Sequence, residues 1–189
     1  MTKSLLTVVF VFTLTTLAFA DYDAGLSAYK RGDFATASRE WRPLAGKGNA
    51  KAQNAIGVMY AKGEGFPQDY TKAIKWYRKA AKGGYLAAMR NLGGMYASGE
   101  GVTQNLGEAS KWYRAAAEQG DHAARHKIAQ FYAEGKGVPQ DDIQAYTWLL
   151  VLDCKHPGTL EQRQAIAARL TAEQITAAKK NAAKWKTKK

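Results

Sequence analysis

The chain has 189 residues with 28 Lys and Arg against 16 Asp and Glu, a formal net charge of +12. Such an excess favours anionic partners: acidic protein faces, lipid headgroups or cell-wall polymers. The single cysteine, Cys154, excludes an intrachain disulfide, so the fold must be held by its core alone.

The first twenty residues read as a secretory signal. Lys3 supplies a positive start, Leu5 to Leu17 is apolar apart from threonines, and Ala18-Phe19-Ala20 has the small-x-small form of a cleavage site. The apolar run is shorter than the roughly 18–20 residues that span a bilayer, which favours cleavage after Ala20 over an uncleaved anchor. No later segment is apolar enough to cross a membrane. A periplasmic or secreted location follows as the expectation. Nucleic acid fits the charge but not that location.

From residue 49 a 36-residue period governs the chain. Eight columns recur unchanged: Ala52/Ala88/Ala124, Tyr60/Tyr96/Tyr132, Ala61/Ala97/Ala133, Gly63/Gly99/Gly135, Gly65/Gly101/Gly137, Gln68/Gln104/Gln140, Ala73/Ala109/Ala145 and Trp76/Trp112/Trp148. A period between about 20 and 50 residues marks stacked units that bury their apolar faces against one another. The units read as residues 49–84, 85–120 and 121–156, preceded by a degenerate copy at 21–48 and followed by a cap at 157–189. In the degenerate copy, Arg31-Gly32-Asp33-Phe34 makes a tighter turn, and Pro43 is expected to kink or end the second helix.

Within 49–84, Ala52, Ile56, Met59 and Tyr60 lie at helical spacing, and Gly63 stops that helix in a left-handed conformation. Asp69, Asn105 and Asp141 sit where N-caps are needed, with Glu108 and Gln144 placed to complete capping boxes. The second helix puts Ala73, Trp76, Tyr77, Ala80 and Ala81 inside and Lys72, Lys75, Lys79 and Lys82 outside, with the tryptophan filling space between units. In the third copy Leu149, Leu150, Val151 and Leu152 make the helix apolar all round, so a further element must cover it. Residues 160–170 and a last helix opened by Thr171-x-x-Gln174 supply the cover, with Ile175, Ala178, Ala182 and Trp185 inward and Lys179, Lys180 and Lys184 outward.

The strings AKGEGFPQDYTKAIKWYRKAAKGG (61–84), ASGEGVTQNLGEASKWYRAAAEQG (97–120) and AEGKGVPQDDIQAYTWLLVLDCKH (133–156) resemble the Sel-one-like repeat family, relatives of the tetratricopeptide repeat. The resemblance implies an all-α, right-handed α/α solenoid of helical hairpins with a C-terminal helical cap. It also implies an adaptor or regulator that docks a protein partner, its first helices lining a concave groove. The groove columns are Asn54/Arg90/His126 and Val58/Gly94/Gln130, extended by Lys62/Ser98/Glu134. Asn54, Val58, Arg90, His126 and Gln130 are the candidate binding residues. They vary between copies while packing columns do not. Plain solvation of this face is the competing explanation.

No catalytic constellation stands out, and neither a cofactor nor a metal is expected. His122 and His126 lie four apart but have no evident third ligand. The glycine loops lack the lysine and hydroxyl residue of a phosphate loop, and helix termination explains them better. The Tyr and Trp columns suit core packing more than a sugar-stacking ladder. Cys154 has no activating neighbours beyond His156, so a shielded thiol is favoured over an intermolecular bridge. The family resemblance also implies two rival functions: a secreted or surface-exposed factor for host or anionic envelope components, and an enzyme. The enzyme is disfavoured because its proposed relatives carry paired cysteines in each repeat.

Overall fold

A computed structural model describes residues 20–152 and 158–186. Among these lie ten α-helices: α1 Tyr22–Lys30, α2 Phe34–Gly46, α3 Ala50–Lys62, α4 Tyr70–Lys82, α5 Leu86–Ser98, α6 Leu106–Glu118, α7 His122–Glu134, α8 Asp142–Val151, α9 Thr159–Ala167 and α10 Ala172–Lys186. From α1 to α9 each helix packs on its neighbour in the chain, and α8 is also covered by α10. The result is an α/α solenoid of four hairpins with a helical cap. Residues 1–19, including the signal-like stretch, and Cys154 and His156 lie outside the described residues.

The helix starts follow from short polar side chains. Asp33, Asn49, Asp69, Asn105, Asp121 and Asp141 each accept a hydrogen bond from the amide three residues on, satisfying an amide the helix itself leaves free. The expected capping boxes at Glu108 and Gln144 do not form. The amides of Asp69, Asn105 and Asp141 donate instead to the carbonyls of Tyr60, Tyr96 and Tyr132, at 2.9, 2.8 and 2.9 Å. Glu108 is left to pair with Lys111 at 2.6 Å. The box predicted at α10 is present: Thr171 N donates to Gln174 Oε1 at 2.8 Å, and Gln174 N donates to Thr171 Oγ1 at 3.3 Å.

The long connectors are closed by the glutamine column. Nε2 of Gln68, Gln104 and Gln140 donates to the carbonyls of Ala61, Ala97 and Ala133, at 2.9, 2.8 and 3.1 Å. The glycines do more than stop helices. Gly101 has φ +71°, and a Cβ there would lie 2.5 Å from Tyr70 Cβ and 2.7 Å from the Tyr70 carbonyl carbon. At Gly137 it would lie 2.2 Å from the carbonyl carbon of Leu106. Each loop therefore rests on the first residues of the preceding unit's second helix, at a distance only glycine permits.

Small residues set the core. Ala52, Ala88 and Ala124 are fully buried, as are Ala73, Ala109 and Ala145, which lets paired helices approach closely. The tryptophan column is less interior than its helical spacing suggests. Trp148 is buried, but Trp76 and Trp112 are only half-buried, and Tyr77 and Tyr113 fill the inter-helix space instead. Pro43 does not end α2, which runs on to Gly46. Near the C-terminal end, Trp185 of α10 packs on Trp148 with ring centroids 5.2 Å apart, and Ala178 and Ala182 are buried. Arg163 of α9 closes the end of α8: its Nε and Nη2 donate to the Leu149 carbonyl at 2.9 and 2.5 Å, and Nη2 donates to Leu152 at 2.6 Å.

Candidate functional site

The candidate residues belong to the first helices, α3, α5 and α7. Asn54 and Arg90 are half-buried, and each is tied to the next unit. Asn54 Oδ1 accepts from Asn91 Nδ2 of α5 at 3.0 Å. Arg90 Nη1 donates to Asp121 Oδ2 at 2.6 Å, with the Asp121 side chain nearly buried. Asp121 is also the N-cap of α7, its other oxygen accepting from Ala124 N at 2.7 Å. A charge-assisted bond to a desolvated carboxylate is stronger than a surface pair, so Arg90 fastens α5 to α7.

His126 is half-buried on α7. Gln130 Nε2 donates to Glu134 Oε1 at 2.8 Å, one turn on. The Glu134 carboxyl is held below the usual carboxylate range, first by Lys136 and then by Gln130. Val58 is half-buried against the core and meets no polar partner. Behind the face, burial pushes the Tyr113 hydroxyl up while the Arg90 charge opposes the shift. The structure thus brings Asn54 and Arg90 into bridges between units, whereas Gln130 is bonded within its own helix.

Sequence reasoning missed Asn91, Asp121 and Glu134 as partners on this face. Asp121 was visible only as a polar residue before a helix, and nothing in the 36-residue columns ties it to Arg90, which lies 31 residues away. Among the described residues, no three His, Cys, Asp or Glu side chains gather as a metal site. No described helix is long and apolar enough to cross a membrane.

The repeated hairpin, with its glycine–glutamine connector and alanine columns, is a Sel1 repeat. The Sel1 repeat family matches residues 50–85, 86–121 and 122–150, more than half of the chain. The chain belongs to the Sel1 repeat family. No curated protein matches it significantly in sequence. Among solved structures it is similar to a Sel1 repeat protein from Oxalobacter formigenes, with a TM-score of 0.66 and 27% identity over 82% of this chain and 72% of that one. It is also similar to a protective antigen of uropathogenic Escherichia coli strains that displays an SLR fold. There the TM-score is 0.59 with 25% identity, over 85% of this chain and 45% of the other. Sel1 repeat proteins generally mediate protein–protein interactions and are typically non-catalytic scaffolds.

Proposed function

We propose that this Sel1 repeat chain is an exported, periplasmic adaptor or regulator that docks a segment of a partner protein on the face formed by α3, α5 and α7. One observation carries the reading. The invariant alanine, glycine and glutamine columns are consumed by helix ends, connector bonds and core, while the varying columns on the first helices stand half-exposed on a surface braced by Asn54–Asn91 and Arg90–Asp121. A braced surface loses little conformational freedom on binding, so more of its contact energy appears as affinity. The signal-like first twenty residues support export. The cationic second helices speed encounter with acidic surfaces, and the varied first-helix residues set specificity.

Site-specific photo-crosslinking tests this. A crosslinking side chain at Ser98, at the end of the α5 face, is expected to give a discrete protein adduct in the envelope fraction. The same side chain at Thr71, exposed on α4, is expected to give none. Adducts from Thr71 alone would overturn the assignment of the docking face. An adduct recovered only with host-cell material would favour the rival secreted role.

A further inference from the structure

The second helices carry a different recurrence. Lys-Trp-Tyr-Arg occurs as residues 75–78 in α4 and again as residues 111–114 in α6, and α2 keeps both cations in Arg39-Glu40-Trp41-Arg42. All six cations, Arg39, Arg42, Lys75, Arg78, Lys111 and Arg114, are exposed. Every charged side chain of α4 is basic: Lys72, Lys75, Arg78, Lys79 and Lys82. Lys72 pairs with Asp69 at 3.1 Å. Among the described residues no carboxylate forms an ion pair with the other four. From Lys75 to Lys82 the row is about 10 Å long, at 1.5 Å per residue. Lys75–Lys79 and Arg78–Lys82 are like charges four apart, which destabilise a helix, so folding alone does not account for the row.

The guanidinium groups are held in place. Arg78 Nη2 donates to the Tyr96 hydroxyl at 2.7 Å and Arg114 Nη2 to the Tyr132 hydroxyl at 2.5 Å, using two members of the invariant tyrosine column. Each keeps further donors for a ligand. Between the cations, Trp76 and Trp112 are half-exposed, and Lys79 Nζ stands 4.4 Å from the Trp76 ring centroid. A cleft of about 400 Å³ beside α6 is bordered by Lys111 and Arg114, with Glu118 also on its rim and Gly137 and Val138 opposite.

The third copy provides an internal control. There the same four positions are Thr147-Trp148-Leu149-Leu150, Thr147 and Trp148 are buried, and α10 lies over them. The column carries no charge where a helix covers it and two cations where none does. An apolar helix or a second copy of this chain therefore does not suit the open positions, and a hydrated anionic partner does.

We propose that the face of α2, α4 and α6 binds a linear acidic polysaccharide laid across successive repeats. Lysine and arginine meet its acidic groups, and the half-exposed indoles of Trp76 and Trp112 meet its sugar rings. A ligand with evenly repeated charges matches a pair of cations that recurs in each of these hairpins. This site is separate from the protein-docking face and uses none of its residues.

The test is titration of the full chain with polygalacturonate, followed by calorimetry and tryptophan fluorescence. Neutral dextran, poly-dT and phosphatidylglycerol vesicles serve as comparison probes. Binding to polygalacturonate is expected to weaken with added salt. It should fall roughly tenfold or more in Lys75→Glu/Lys79→Glu, an exposed double change that leaves the circular dichroism unaltered. Trp112→Phe is expected to reduce the fluorescence response, and Gln130→Ala to leave binding unchanged even if the adduct at Ser98 is lost. Equal binding to neutral dextran, no effect of charge reversal, tighter binding to vesicles or poly-dT, or no binding would each overturn the proposal.

Discussion

One added carbon separates two glycines that share a backbone conformation. Gly32 and Gly101 have φ of +79° and +71°, but a Cβ at Gly32 meets nothing within 4 Å, whereas at Gly101 it strikes the backbone of Tyr70 and Thr71. Gly32→Ala is expected to cost about 1–2 kcal/mol, the penalty of a left-handed alanine. Gly101→Ala adds overpacking between units and is expected to cost about 3 kcal/mol or more. Urea unfolding of the two variants measures the difference, and equal losses would refute the contact role of the second glycine column. That role was not legible in the sequence. A repeated glycine announces a turn, but the atom it must avoid belongs to the preceding repeat, about 30 residues earlier. The glutamine column was likewise visible as a recurrence, while its bond to the alanine carbonyl was not.

At the scale of helices, periodicity located the hairpins, their N-caps and the apolar end of α8 that needs a cover, because hydrophobic spacing and cap residues are local signals. Long-range pairings stayed hidden. Gly93 faces the Tyr113 ring, where a Cβ would come within 2.7 Å of it, and Gly57 faces Tyr77 in the same way. The third copy has Ala129 and Leu149 at these two positions, both buried. Glycine is thus required opposite the larger ring and is released when leucine replaces it. Gly93→Ala is expected to cost about 1–3 kcal/mol alone, and distinctly less in a Tyr113→Leu background. A double-mutant cycle with no coupling would contradict this pairing. On the candidate face the legible part was which positions vary, not which are bonded: Arg90 turned out to brace the cap of α7.

Over the whole molecule, buried Tyr77 and Tyr113 and half-buried Tyr22 link the solenoid to alkaline pH. Burial pushes the Tyr22 hydroxyl up to about 12, with Tyr85 and Asp23 adding to the shift, and burial also raises Tyr77 and Tyr113. An unfolded tyrosine ionises near 10. The unfolded chain therefore loses these protons first, so stability is intact below about pH 10 and falls as pH rises through the folded values. Urea midpoints at about pH 8 and about pH 11 are expected to show the drop, and Tyr77→Phe to flatten it; an unchanged drop in that variant would remove Tyr77 from the account. The sequence displayed the array and its basic charge. It also placed Lys72, Lys75, Lys79 and Lys82 outward, as they are, but not the half-exposed Trp76 and Trp112 beside them, which only the packed helices reveal.

On the proposed reading, the invariant alanine, glycine and glutamine columns hold the fold and the varying first-helix columns make the protein-docking face. The most direct measurement exchanges the variable residues of α7 for those of α3, as His126→Asn/Gln130→Val/Glu134→Lys, and follows both thermal unfolding and the crosslinked adduct at Ser98. A melting transition close to that of the parent is expected, since surface changes usually stay within about 0.5 kcal/mol each, together with loss of the partner adduct. Collapse of the fold, or an undiminished adduct in a fully folded variant, would contradict it.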